Sequence, residues 1–308
     1  MRFDLDVSEV RPAQVAVIAH AAKTFGGGLP ELRRVLDEEG IRDPEWHEVP
    51  KSKKAPKQVQ RALENGADLL LVWGGDGLVR RVIDAIGDAE VDVAILPAGT
   101  SNLFATHFGI PSDVREAVRI GLLGDRRRID VGRFNGERFA TMAGAGFDAA
   151  MIRDADARKA RLGRAAYVIS GARNLRAEPF GVKLKVDGTL WYDGPATCVL
   201  LGNIGDLFGG VDVFPDAAPD DGLLDVAVMT SQGPLQVART VLRTAVSDPQ
   251  KSPFVRRTKV RELTAKLDRE VRYELDGGDR TKVRTFTVTV EPGAVTIRVP
   301  RREDAGPA

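Results

Sequence analysis

The sequence is poor in the groups that most compact chemistries need. It has a single cysteine, Cys198, in 308 residues. A lone cysteine excludes an intrachain disulfide and a multi-cysteine zinc site. It lies in the apolar run Cys198-Val199-Leu200-Leu201, which predicts a buried, inert thiol rather than a nucleophile. The three histidines, His20, His47 and His107, are too scattered to suggest a metal cluster. No apolar run approaches the ~18 residues of a spanning helix. The first residues, MRFDLDVSEV, mix charges and lack the apolar core of a secretory signal. The expectation is therefore a cytoplasmic protein, meeting a bilayer only from outside. Neither charge sign dominates: 45 Lys and Arg stand against 44 Asp and Glu, a net charge of +1. Without a global field, no nucleic-acid partner is expected, and any anion binding must be local.

What is present is a βα rhythm followed by a change of texture. Up to about residue 130, short apolar runs (15–19, 68–73, 91–97) alternate with helical patterns (29–40, 56–66, 112–124). This predicts a parallel sheet covered by helices. Ser112 is expected to cap the helix at 112–124. Beyond it, β-rich segments are separated by Asn-Gly, Asp-Gly and Pro-Gly turns, interrupted by two helical inserts near 154–175 and 233–246. The fold class expected is an α/β N-terminal domain with a parallel sheet, residues 1–129, plus a mostly antiparallel β C-terminal domain, residues 130–308. The last residues of the chain could return to the first domain.

The most informative stretch is LLLVWGGDGLVRRVIDAIG, 69–87. An apolar strand runs into Gly74-Gly75-Asp76-Gly77, and Val79, Val82, Ile83 and Ile86 then repeat at helical spacing. Strand, glycine turn and helix N-terminus is the layout that offers backbone N–H groups to an anion. Asp76 fits such a site if Mg²⁺ bridges it to phosphate oxygens. Arg80 and Arg81 lie where the helix dipole disfavours cations, which a polyphosphate would offset. The other reading is a structural turn with two solvated arginines. One strand later, ILPAGTSNLFA (95–105) repeats the arrangement, placing Thr100, Ser101 and Asn102 beside the same crevice. Each could contact phosphate or ribose, or simply cap a helix.

Together these blocks resemble the diacylglycerol kinase catalytic-domain family of lipid kinases, whose fold is shared more distantly with NAD kinases and phosphofructokinases. GAGFDA (144–149), residues 202–229 and YELDGG (273–278) resemble later family blocks, in order. The resemblance implies transfer of the γ-phosphoryl group of ATP to a lipid hydroxyl, with ATP and Mg²⁺ as cofactors and diacylglycerol as nominal acceptor. It implies that Gly74, Gly75 and Gly77 cradle phosphates, that Asp76 organises Mg²⁺ or phosphate, and that Thr100, Ser101 and Asn102 complete the nucleotide site. Lys23 and Thr24, in the first βα loop, could reach phosphate. Asp276 or Asp279 would accept the proton of the acceptor hydroxyl, although LDGGDR would also make a hairpin turn. Asp221 and Asp225 match a block that holds a structural metal in some members; a capped turn explains them equally.

The sequence departs from the family at Leu78 (usually threonine), Leu103 (often aspartate) and Gly278 (glutamate). These departures keep a weakly catalytic nucleotide- or lipid-binding protein open as an alternative, beside an NAD-kinase-like enzyme with a soluble acceptor. KSKKAPK (51–57) and RDADARKARLGR (153–164) could touch an anionic bilayer or be solvated faces. A peripheral membrane contact and a homodimer both stay open.

Overall fold

The computed structural model describes residues 14–146, 178–207, 211–212, 214–230 and 255–301. The two expected helical inserts, the basic stretch 153–164 and the end of the GAGFDA block lie outside the described residues. The chain divides into two compact units: Met1–Arg127 with Val295–Ala308, and Arg128–Ala294.

The first unit contains β1 (Val15–His20), α1 (Gly28–Glu38), β2 (Glu45–Val49), α2 (Ala55–Glu64), β3 (Leu69–Gly74), α3 (Asp76–Ile86), β4 (Asp92–Pro97), α4 (Leu103–His107) and α5 (Val114–Leu123). Its strands are parallel, in the order β2-β1-β3-β4. Every residue of β3 and β4 is buried, as their unbroken apolar runs require of strands covered on both faces. Chain direction across the sheet reverses between β1 and β3, the switch point outside which open α/β sheets bind ligands. The cap of α5 is Asp113, whose Oδ1 accepts from the Glu116 N–H at 2.9 Å, not the expected Ser112. An aspartate one residue later supplies the same acceptor with a full charge at the helix N-terminus.

The second unit is antiparallel. It is built from β5 (Asp125–Phe134, whose first residues count with the first unit), β6 (Glu137–Phe139), β7 (Met142–Ala145), β8 (Phe180–Val186), β9 (Thr189–Ala196), β10 (Cys198–Gly202), β11 (Asp206–Leu207), β12 (Val211–Asp212), β13 (Leu224–Met229), β14 (Val255–Val260), β15 (Glu262–Leu275) and β16 (Gly278–Val299). The strand order β14-β13-β10-β7-β15-β16 is joined by β8, which pairs with the first half of β15 and with β9. One core holds Phe134 stacked between Tyr273 and Phe286, with ring centroids 4.6 Å apart in each pair. A second cluster, on the other face, holds Met142, Cys198, Leu200, Ile204, Phe214 and Ala227. Successive residues of β10 thus enter different cores, which accounts for its continuous apolar run.

Asn135-Gly136, Asp187-Gly188 and Asp276-Gly277 all have positive φ at both residues, as two-residue hairpins require. The Pro292-Gly293 pair, expected as another turn, lies inside β16 instead. The Gly293 N–H donates to Asp130 Oδ1 at 2.7 Å, so the chain passes through rather than reversing. Residues of β16 from Val295 on count with the first unit, where Thr296 and Ile297 pair in parallel with Asp92 and Val93. Among the described residues no helix is long and apolar enough to cross a membrane.

Candidate functional site

The glycine turn is tighter than its sequence suggests. Gly74 ends β3, Gly75 is the N-cap of α3, and Asp76 and Gly77 already belong to the helix. The Gly75 carbonyl accepts from the Leu78 N–H at 2.8 Å and the Val79 N–H at 3.2 Å, which closes the first turn at once. Three glycines here have reasons internal to the protein. A Cβ on Gly74 would lie 2.6 Å from Leu78 Cδ2, and one on Gly75 would lie 3.0 Å from the Gly99 Cα. A Cβ on Gly99 would lie 2.6 Å from both the Gly75 Cα and Asn102 Oδ1. The two βα loops therefore touch glycine to glycine. Gly77 differs. It is exposed, its φ is not positive, and a Cβ there would meet nothing within 4 Å. The protein's own packing gives no reason for its missing side chain.

Asp76 serves the structure first. Its Oδ2 accepts from the Leu103 N–H at 3.1 Å and its Oδ1 from the Phe104 N–H at 3.0 Å. It thus ties the start of α3 to the start of α4. Asn102, in left-handed backbone (φ 46°), exchanges two bonds with Gly99: Gly99 N–H to Oδ1 at 2.8 Å, and Nδ2 to the Gly99 carbonyl at 3.1 Å. Its amide shapes the loop. Thr100 is exposed and Ser101 half-buried at the same edge. In the first loop, the Lys23 carbonyl accepts from the Trp73 indole at 3.4 Å, next to the glycine turn. Thr24 is exposed, and Gly26, Gly27 and Gly28 carry φ of +56°, +92° and +71°. Burial, then the charge of Lys23, lowers the pKa of His20 at the end of β1.

Leu78 is buried over Gly74, on the core side of α3. Arg80 is only 4% exposed, so it is not the solvated arginine that a structural turn would carry. No side chain caps α3. The Asp76 and Gly77 N–H groups precede the intrahelical ladder, which starts with Leu78, and they lie at the turn where Gly75 meets Gly99. This edge can receive a phosphate chain. Asp76 contributes one carboxylate to it, and the described residues contain no cluster of three metal-binding side chains. A Mg²⁺ arriving with substrate phosphates would meet one carboxylate here.

In the second unit the LDGG stretch is a hairpin between β15 and β16, with Glu274 opposite Asp279 and Leu275 opposite Gly278. Asp276 accepts four hydrogen bonds: from the N–H groups of Ala140 (2.8 Å), Thr141 (2.8 Å) and Met142 (2.9 Å), and from the Thr141 hydroxyl (2.5 Å). Its carboxylate is committed to the chain before β7. Asp279 is exposed. A Cβ on Gly278 would lie 3.0 Å from Arg280 Nη1, and Arg280 is held by Glu137 at 2.6 and 2.8 Å. Arg280 thus fills space at the position where the family resemblance puts a glutamate.

Sequence reasoning missed Glu274. It is fully buried, its Oε2 accepts from the Gly277 N–H at 2.8 Å, and its Oε1 has no hydrogen-bond partner. Burial, then the charge of Asp276, pushes its pKa up to about 8. Burial and the Glu274 charge likewise raise the Cys198 thiol. The available signal was a carboxylate two residues before Asp276, set between Tyr273 and Leu275 in a strand.

The Asp221–Asp225 block is occupied by the protein itself. Lys259 Nζ lies 2.6 Å from Asp221 Oδ2, 2.8 Å from the Asp216 carbonyl and 3.7 Å from Asp225 Oδ2. Burial opposes the Lys259 charge, but Asp221 and Asp225 outweigh it and raise its pKa. Burial takes Asp225 up to about 6 against the pull of Lys259. The Lys259 ammonium thus lies among the oxygens that a metal at this block would meet.

Residues 15–134 match the diacylglycerol kinase catalytic domain, and residues 141–299 match the YegS C-terminal NAD kinase beta sandwich-like domain. A protein of Alcanivorax borkumensis described as "probable lipid kinase YegS-like" is 30% identical over 253 residues, 80% of this chain and 83% of that one. A protein of the same description from Klebsiella pneumoniae (strain 342) is 28% identical over 283 residues, covering 89% and 93%. A solved structure of a diacylglycerol kinase from Bacillus anthracis str. Sterne shares the fold with a TM-score of 0.75 at 24% identity, covering 94% of this chain and 98% of that one. With both halves of the architecture matched, the chain belongs to the diacylglycerol kinase catalytic-domain family, as a lipid kinase of YegS-like type.

Proposed function

We propose that the chain transfers the γ-phosphoryl group of ATP, entering as its Mg²⁺ complex, to the hydroxyl of a membrane lipid, with diacylglycerol as the nominal acceptor. The observation that carries the nucleotide assignment is Gly77, an exposed helix-start glycine whose missing Cβ no neighbour requires. A phosphate approaching the α3 N-terminus does require it. Thr100, Ser101 and Lys23 supply further donors, while Gly74, Gly75 and Asn102 set the loop shape and Asp76 locks it. Phosphoryl transfer needs chiefly such positioning and charge neutralisation.

The acceptor oxygen attacks the γ-phosphorus, a new O–P bond forms, the bond to the β-phosphate oxygen breaks, and ADP leaves. We assign the proton of the acceptor hydroxyl to Asp279, which is exposed, and a positioning role to Asp276, whose carboxylate is engaged by the 140–142 backbone. A lipid acceptor also implies a peripheral encounter with the membrane from the cytoplasm.

The test is transfer of labelled γ-phosphate to a panel of lipids in mixed micelles, with and without Mg²⁺, by wild type, Gly77→Ala and Asp279→Asn. Labelled lipid that depends on Mg²⁺ and falls at least ~100-fold in Asp279→Asn supports the assignment. Transfer to NAD or another soluble acceptor alone would overturn the lipid reading. One observation favours a second reading, a nucleotide-binding protein with little transfer: Arg280 fills space beside the Gly278 position. ATP binding without transfer to any acceptor would support that reading.

A further inference from the structure

The loop before β13 is acidic and sharply turned, and its resemblance to a metal-holding block is what makes its actual contents informative. It contains Asp216, Asp220 and Asp221, with Asp225 following at the start of β13, four aspartates within ten residues, and Gly222 has φ of +72°. Part of its order comes from Asp130, which both accepts from and donates to the loop backbone, and from a bond within the loop itself. Asp130 Oδ2 accepts from the Gly222 N–H at 2.7 Å, the Asp130 N–H donates to the Pro219 carbonyl at 2.6 Å, and Asp221 Oδ1 accepts from the Leu223 N–H at 2.9 Å. These contacts leave the mutual repulsion of Asp221 and Asp225 to be dealt with. A hard divalent cation would do so through carboxylate and carbonyl oxygens.

We infer that Lys259 is a built-in replacement for that cation, so that this loop is closed by an ammonium group and the β unit does not depend on a divalent metal. Three observations carry the inference. First, Nζ approaches one oxygen from each of the three groups a metal would use: the Asp216 carbonyl, Asp221 and Asp225. A lysine ammonium has donors and no acceptor, so it donates to the Asp216 carbonyl and Asp221 and holds Asp225, at 3.7 Å, by charge. Second, the lysine is delivered by a regular element. It belongs to β14, and its partner in the register is Asp225 on β13. Cross-strand pairing fixes the two side chains near one another before any loop contact forms. Third, the side chain of Lys259 is only 31% exposed and that of Asp225 13%, so the ion pair is partly withdrawn from water, where it is screened less than a surface pair.

A cation supplied by the chain is always present. A bound metal contributes only as much as its free concentration allows. The consequence reaches the enzyme as a whole: a Mg²⁺ requirement in phosphoryl transfer would report on the nucleotide complex, not on the folding of the β unit. The inference itself does not depend on the chain being a kinase, because its readout is stability without nucleotide.

The experiment compares thermal unfolding of nucleotide-free protein in a chelator and in millimolar Mg²⁺ or Ca²⁺. It uses wild type, Lys259→Met, Asp221→Asn and the Lys259→Met/Asp221→Asn double variant. The quantity read is the part of any cation-induced rise in midpoint that disappears with Asp221→Asn. For wild type this part is expected to be nil. For Lys259→Met the midpoint in chelator should fall, and divalent cation should restore about 2–4 °C of it only while Asp221 is present. An Asp221-dependent rise in wild type would overturn the inference, since a metal would then be entering despite the lysine. A Lys259→Met protein as stable as wild type in chelator would overturn it equally, since the ammonium would then not be closing the loop. The wild-type arm decides the matter even where the lysine variant folds poorly.

Discussion

Gly77 separates two explanations that most glycines in such loops confound. Replacing Gly74, Gly75 or Gly99 would damage the protein and any ligand site together, since a Cβ at each meets its neighbours at 3.0 Å or less. At Gly77 the added methyl meets open space. Gly77→Ala should therefore leave stability unchanged or raise it by about 0.4–1 kcal/mol, through a less flexible unfolded chain. The same methyl should weaken ATP binding by at least ~10-fold, read by calorimetric titration. Unchanged affinity would move the phosphates away from this turn. Glu274 makes a second residue-scale prediction, about pH. Its folded pKa is raised to about 8 from an ordinary 4.5. Asp276, Asp279 and Arg280 are the charges acting on it, and the Cys198 thiol is coupled to it. The native state then holds a proton that the unfolded chain has released. Its contribution to stability is complete below about pH 4.5 and is lost as pH rises through 8. Between those limits stability should fall with a slope of up to about 1.4 kcal/mol per pH unit from this group. Denaturant titrations of wild type and Glu274→Gln across that window should show the slope in the first and its loss in the second.

At the scale of elements, the β15–β16 hairpin depends on one carboxylate. Asp276 adopts φ of 46°, which aspartate and asparagine tolerate better than other side chains. It then binds three consecutive amides and a hydroxyl at 140–142. Asp276→Ala should cost about 2–4 kcal/mol, the loss of charge-assisted bonds plus strain at positive φ. Asp276→Asn should recover part of that, because it keeps the turn preference and an acceptor. Equal losses in chemical denaturation would show that the turn, not the bonding, sets the energy. Elements of this kind were legible in the sequence to different depths. The Asn-Gly and Asp-Gly pairs announced their hairpins because only a few residue types accept the backbone that such turns need. The apolar runs of β3 and β4 announced a two-sided sheet. Pro292-Gly293 misled because the same dipeptide serves a turn or a bend within a strand. What decides is Asp130, more than 160 residues earlier, which receives the Gly293 amide. Local pattern carries no information about such a partner. The same limit applies to the site. The glycines and Asp76 were visible, but the bonds from Asp76 to Leu103 and Phe104, the lysine between Asp221 and Asp225, and the buried Glu274 are products of tertiary pairing.

For the whole molecule, the route of the chain matters more than any one contact. The first unit is completed by residues that follow the entire β unit in sequence. Thr296 and Ile297 extend its sheet beyond β4, Ile297 is fully buried, and Val295 is 2% exposed. Asp92, buried at the start of β4, meets Arg126 at 2.8 Å and Arg298 at 2.9 Å, so its charge is balanced from both sides of the long excursion. A chain ending at Ala294 would expose an edge of β4 and leave Asp92 with half its partners. Burial of Val and Ile side chains is worth roughly 1.5–3 kcal/mol each, comparable in sum with much of a domain's net stability of about 5–15 kcal/mol. Such a chain should therefore lose the α/β unit first. Calorimetry should show the transition of that unit moved down by ten degrees or more, on the order expected for several kcal/mol, with the β transition near its original place. Hydrogen exchange at the β3 and β4 amides should rise in step, and Ile297→Ala should show the same effect in milder form, about 2–5 kcal/mol. If instead both transitions fall together, the two units unfold as one cooperative body. If neither moves, β4 does not need its last neighbour. Because the edge proposed to bind nucleotide is built on β1, β3 and β4, the first outcome also predicts that ATP affinity in the shortened chain falls at temperatures where the β unit is still folded.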